Sequence, residues 1–95
     1  MTLRQVAGEK IGHIVVYALS SCPQCQKTKH LLGDLGLEYY FEDVDALGEE
    51  DQRNAMAEVS RWNPRRSFPT IVINNEQAII GFNETEIHRL RLRRQ

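Results

Sequence analysis

Val16-Tyr-Ala-Leu-Ser-Ser-Cys-Pro-Gln-Cys25 carries both cysteines of this 95-residue chain, at the point where an apolar run gives way to a helical pattern. The run from Ile11 to Leu19 is short, β-branched and almost continuously apolar, which is the pattern of a central strand buried on both faces. Cys22-Pro23 then opens a helix, because proline fits the first helical position, where its missing N–H has no intrahelical partner to lose. The sulfur of Cys22 is thereby expected to face unpaired backbone N–H groups and the positive end of the helix dipole, which stabilise a thiolate over a thiol. Thiols in C-x-x-C settings of this kind have pKa values lowered from about 8.5 to roughly 3.5–7.5. Cys22 is accordingly expected to be the nucleophile. Cys25, three residues on and deeper in the first turn, is expected to pair with it.

Two rival uses of the pair find less support. A structural zinc site wants four ligands, and beyond one C-x-x-C the chain offers only His13, His30 and His88, none at the spacing of a second pair. A permanent disulfide across so short a loop would remove little entropy from the unfolded chain.

The rest of the sequence supplies a frame around that point. A chain of 95 residues supports one hydrophobic core, so a single domain over 1–95 is expected, with its core over about 12–92. Hydrophobic residues make up 41% and charged residues 26%, the balance of an ordinary globular protein. The net charge of -1 points to neither nucleic acid nor a membrane surface. The N-terminus lacks an apolar leader-like region, and no run of about 18 apolar residues occurs, so a cytoplasmic home is expected. There, two cysteines are more often catalytic or metal-binding than structural.

Leu31, Leu32 and Leu35 give the first helix its apolar face, and Gly36 is placed to end it in a left-handed cap. Leu37 to Val44 alternates as a second strand, parallel to the first because a helix joins them. After Gly48, the acidic residues Glu49, Glu50 and Asp51 suit the first turn of a second helix, with Ala55, Met56, Val59 and Trp62 at helical spacing and Asn63-Pro64 as its stop. Trp62 and Met56 read first as its buried face and second as a rim of the active-site groove. Residues 69–74 and 77–81 form two short strands separated by Asn75-Glu76, a hairpin. Asn83 with Glu86 resembles a capping box opening a last helix that turns Ile87 and Leu90 inward. The order is β-α-β-α-β-β-α.

In that order, VYALSSCPQC, SFPTIVIN and GFNETEIHRL make nearly the whole chain, roughly residues 12 to 92, resemble the glutaredoxin branch of the thioredoxin-like fold. The resemblance implies an α/β fold with a four-stranded mixed sheet flanked by three helices. It implies a dithiol–disulfide oxidoreductase with Cys22 and Cys25 as catalytic pair, needing no metal and no organic cofactor beyond a thiol reductant. It also implies that Pro69 of Ser67-Phe68-Pro69 is cis and that the N–H and C=O of Phe68 pair with a bound peptide or thiol like a short strand. On residue pattern alone, Pro69 reads simply as the start of a strand. Pro23 and Gln24, between the cysteines, and Gly81-Phe82-Asn83, before the last helix, complete the implied substrate-binding set with Arg66.

Two departures from the family pattern bear on the reductant. Leu19 stands where glutathione-using members usually carry lysine, and Gly81-Phe82-Asn83 replaces a Gly-Gly pair followed by an acidic residue. The GF pattern is similar to NrdH-type redoxins, and parts of the region to mycoredoxins. Thioredoxin reductase is therefore the expected electron donor, with protein disulfides as clients and a monomer as the working form. The alternatives are a glutathione-dependent glutaredoxin and a [2Fe–2S] cluster carrier, although Pro23 and the second cysteine are unusual for the latter. Arg65 and Arg66 have two readings, a fork for the carboxylate of a low-molecular-weight thiol or a solvated basic loop. Lys27 and Lys29 likewise either add positive potential at the cysteines or are solvated helix-face lysines. The Arg-rich tail from His88 to Arg94 suits the negative end of the last helix better than it suits nucleic acid.

Overall fold

Strand β2, Ile14–Ala18, is the middle of the sheet in the computed structural model, which describes residues 3–92. It pairs in parallel with β3, Tyr39–Asp43, and antiparallel with β4, Thr70–Ile73. Alternation of its side chains creates two faces. Ile14, Val16 and Ala18 join Leu32, Ile71, Ile73, Ile87 and Leu90 in one buried cluster, so this face packs against helices α1, Pro23–Asp34, and α3, Glu84–Leu90. Val15 and Tyr17 look the other way, toward α2, Glu49–Trp62, whose buried residues are Ala55 and Val59. The order of layers is α1 and α3, sheet, α2.

Among the described residues the sheet has five strands and not four, in the order β1-β3-β2-β4-β5, with β5 spanning Gln77–Ile80. The extra strand, β1, is Arg4–Val6, antiparallel to β3. Its three residues are Arg, Gln and Val on a largely exposed edge, so no apolar alternation marks it. The two strands read from the sequence around the first helix also run shorter than expected. Ile11 is buried yet lies before β2, and Leu37 is buried but takes part only in an isolated bridge to Glu9.

Local chemistry sets the ends of the elements. Past α1, the Gly36 N–H bonds Gly33 O at 2.9 Å and the Leu37 N–H bonds Leu32 O at 3.1 Å, which is a Schellman motif with Gly36 at φ 71°. Its accompanying apolar contact comes from Leu32 and Leu37, both fully buried. The face α1 buries is Cys25, Thr28 and Leu32, while Leu31 and Leu35 are only half-buried. In the hairpin the positive-φ residues are Asn74 and Asn75, one place earlier than the Asn75-Glu76 turn read from sequence. Asparagine tolerates this region better than most residues, and the Asn74 side chain also accepts the His13 N–H at 2.8 Å. Asn83 caps α3 as expected, accepting the Glu86 N–H at 3.1 Å. No helix among the described residues is long and apolar enough to cross a membrane. Part of the Arg-rich tail, Arg93 and Arg94, lies outside the described residues.

Candidate active site

Cys22 is the N-cap of α1, with φ −92° and ψ 115°, and Pro23 follows at the first helical position. Its sulfur accepts the Cys25 N–H at 3.2 Å, the bond that a serine or asparagine cap would receive. Both cysteines are free thiols, Cys22 half-buried and Cys25 fully buried. Burial first, and then the side-chain hydrogen bond with Cys22, push the Cys25 thiol up to about 12, while the Leu19 backbone and the Lys29 charge oppose this more weakly. Cys25 is thus a protonated group at neutral pH, sheltered behind a sulfur that lies nearer to solvent.

The turn that delivers Cys22 is held from a distant segment. The Asp45 carboxylate accepts the Ser20 N–H at 2.8 Å and the Ser20 hydroxyl at 2.6 Å, and Gln26 Nε2 donates to Ser20 O at 3.2 Å. The Ser20 hydroxyl, followed by its N–H, holds the Asp45 carboxyl below the usual carboxylate range. Lys29 is not a solvated helix-face lysine. Its ammonium pairs with Asp43 at 2.9 Å, lies 4.2 Å from the centroid of the Phe41 ring and leaves the side chain only 13% exposed. Lys27 remains exposed.

The second wall of the site is the stretch from Ser67 to Thr70. The Phe68–Pro69 peptide bond is cis. Phe68, Phe82 and Cys22 are each half-buried against the same core cluster, and Cys25 belongs to that cluster. Gly81, at φ 76°, donates its N–H to Pro69 O at 2.9 Å, so the turn before α3 and the proline loop are tied together. Three segments distant in sequence therefore converge: 19–25, 67–70 and 81–82. Asn83 is spent on capping α3. Gln24 and Arg66 are exposed, and neither side chain makes a hydrogen bond or ion pair among the described residues. Arg66 stands at φ 55°, with its N–H on Asn63 O at 2.9 Å.

Two residues of the site had no chemical signal in the sequence. Asn63 read as a helix stop, yet its side chain is buried and bonds Ser67, Thr70 and Arg65. Asp45 had no role assigned, because its partner lies 25 residues away. Among the described residues no group of three or more His, Cys, Asp or Glu side chains is arranged to hold a metal ion.

Comparison with known proteins agrees with this geometry. The family model described as Glutaredoxin matches residues 14–78. A crystal structure of the glutaredoxin from Methanosarcina mazei Go1 superposes with a TM-score of 0.88 at 44% identity, covering 94% of this chain and 86% of that one. Methanosarcina acetivorans methanoredoxin gives a TM-score of 0.85 at 49% identity, with 87% of each chain covered. Glutaredoxin-C6 of Oryza sativa subsp. japonica is 32% identical over 72 residues, 76% of this chain. The match spans 62% of the length of that rice protein. A cysteine-capped helix beside a cis-proline loop, on a sheet shared with these proteins and under a family model covering most of the strands, has one attribution: the chain belongs to the glutaredoxin family, whose members are thiol–disulfide oxidoreductases.

Proposed function

We propose that the protein reduces disulfides of client proteins through the Cys22–Cys25 pair. The Cys22 thiolate attacks one sulfur of the client, a new S–S bond forms, and the other client sulfur leaves and takes a proton. Cys25 then loses its proton and attacks the Cys22 sulfur, which frees the second client thiol and leaves a Cys22–Cys25 disulfide. Two electrons have passed to the client, and an external dithiol or thiol donor returns them. The observation that carries this reading is the bond from the Cys25 N–H to the Cys22 sulfur at the mouth of α1, where the dipole and free N–H groups favour negative charge. The order of the steps follows from exposure. A disulfide can reach the half-buried Cys22, whereas Cys25 is enclosed and protonated. Once Cys22 is tied up in a mixed disulfide, its upward push on the Cys25 thiol ends and Cys25 ionises more readily.

Phe68 supplies the substrate contact beside the sulfurs, its N–H and C=O pairing with the client backbone, with Phe82 as an apolar neighbour. Leu19 and Gly81-Phe82 offer no charge to a glutathione tripeptide, which favours thioredoxin reductase or another non-glutathione donor. Arg66 is the group most suited to a thiol carrying a carboxylate.

Cys22→Ser is expected to abolish reduction of a protein disulfide, and Cys25→Ser to accumulate mixed disulfides visible as mass adducts. Full activity of the Cys22→Ser protein would refute the assignment. For the donor, the oxidised protein is reduced in parallel by NADPH with thioredoxin reductase and by glutathione with its reductase. The first is expected to be faster, and equal or faster turnover with glutathione would reverse the choice.

A further inference from the structure

Asn63 sits just past α2 with only 2% of its surface exposed, and it turns its whole amide onto the chain leading to Pro69. Nδ2 donates to Ser67 O, to Ser67 Oγ and to Thr70 Oγ1, each at 3.0 Å. Oδ1 accepts the Arg65 N–H at 3.1 Å. Thr70, itself fully buried, donates its hydroxyl to the same Ser67 O at 2.8 Å. Two inward donors therefore occupy the Ser67 carbonyl.

That carbonyl shares a planar trans peptide with the Phe68 N–H, so fixing one inward turns the other outward. The next carbonyl along, that of Pro69, is taken by the Gly81 N–H at 2.9 Å. Between these two tied groups, the N–H and C=O of Phe68 have no hydrogen-bond partner among the described residues. The amide of Asn63 thus spends its donors on the carbonyl side of the Ser67–Phe68 peptide, leaving the N–H of that peptide and the next carbonyl, that of Phe68, unspent.

We propose that Asn63, backed by Thr70, is a positioning residue for disulfide exchange: it holds the Ser67 carbonyl inward and so presents the Phe68 backbone to an extended peptide flanking the client's cysteine. The proposal rests on the substrate role given to Phe68 above. Its consequence is selective. Loss of Asn63 weakens binding of the peptide flank and leaves the sulfur chemistry of Cys22 intact.

The test compares the symmetric disulfide of acetyl-Gly-Cys-Gly-amide with the analogue N-methylated on the glycine after cysteine, alongside alkylation of Cys22 by iodoacetamide, which has no peptide flank. In the wild type, N-methylation is expected to raise KM about tenfold, the factor that corresponds to about 1.4 kcal/mol and to one hydrogen bond. Asn63→Ala is expected to raise KM for the parent peptide by about the same factor, with kcat and alkylation rate within about twofold of wild type, the pattern of lost uniform binding. The penalty for N-methylation should shrink in that variant. Thr70→Val, close in shape and lacking the hydroxyl, should move KM the same way if Asn63→Ala does not fold, and Thr70→Ser should restore it. A wild type indifferent to N-methylation would remove the Phe68 role and the proposal with it. A wild type that discriminates, beside folded variants that keep its KM or lose alkylation rate in step, would overturn the role of Asn63 alone.

Discussion

Cys25 is held as a thiol chiefly because it is enclosed, and that has a consequence for stability. Its folded pKa, about 12, lies above the value of 9.0 that it has when free of these influences, so the folded state binds the proton more tightly than the unfolded chain. A group raised in this way contributes stability that is complete below pH 9.0 and is lost as the pH climbs toward about 12. The reduced protein is expected to lose thermal stability over that window more steeply than Cys25→Ala, which has no such thiol. Parallel melting curves for the two proteins would mean that the site does not favour the protonated form. Asp45 works with the opposite sign: its depressed carboxyl contributes stability above the ordinary carboxylate range and gives it up as acid protonates it. Of the two residues, the cysteine was legible in the sequence because its spacing and its proline are local. The aspartate was not, because a carboxylate that grips a serine 25 positions away leaves no pattern in either neighbourhood.

Elements announced themselves where punctuation and period agreed. Pro23 began α1, Gly36 ended it, and Asn83 capped α3. Gly36 is also the cleanest place to test such a signal, since a Cβ added there meets nothing within 4 Å and any cost is conformational. Gly36→Ala is expected to destabilise by about 1 kcal/mol, the penalty for a side chain in the left-handed region. In a domain of this size that lowers Tm by roughly 4–8 °C. An unchanged Tm would show that α1 can end another way. β1 illustrates the opposite case, an edge strand whose existence depends on the partner it meets. Gly8 is the reason it can lie there: a Cβ at that position would stand 2.5 Å from the Leu37 carbonyl carbon. Gly8→Ala should therefore loosen the segment and speed exchange of the Glu9 and Glu38 amides, which bond Gly36 O and Glu9 O. If those amides keep their protection, the close approach is not what seats the N-terminal segment. No apolar period could have predicted this strand, because its information resides in a glycine and in a distant backbone.

The molecule as a whole is built unevenly on its two sides: the cysteines and Phe68 pack on the fuller one, but the loop that carries Phe68 is anchored by Asn63 at the end of α2, on the weaker one. Beneath α1 and α3 the sheet face is filled by an aliphatic cluster that includes Ile14, Val16, Leu32, Ile71 and Ile87, all fully buried. Beneath α2 only Ala55 and Val59 are buried from the helix, and a cavity of about 550 Å³ lies beside Ala55, bordered by Tyr17, Glu42 and Glu58. Burial first, then Glu58 and Glu42, raise the Tyr17 hydroxyl to about 12, and on this side acidic side chains stand beside the buried Val15, Ala55 and Val72. The alternation in β2 made the two-faced sheet readable, but the unequal filling of its faces depends on how α2 packs over the sheet, which spacing alone does not encode. A layer with few buried apolar side chains opens at lower free energy than the core it covers. Native-state hydrogen exchange should show the α2 amides exchanging through a partial opening, with protection at least about tenfold below that of the β2 and β4 amides, which open only with the whole domain. Because Asn63 follows directly on α2, that opening would also release the loop that carries Phe68. A bound peptide disulfide should then slow exchange in α2 as well as in the loop, though α2 itself touches no substrate. Uniform protection across α2, β2 and β4 would show that the domain unfolds as one unit and that the loop draws none of its mobility from the helix before it.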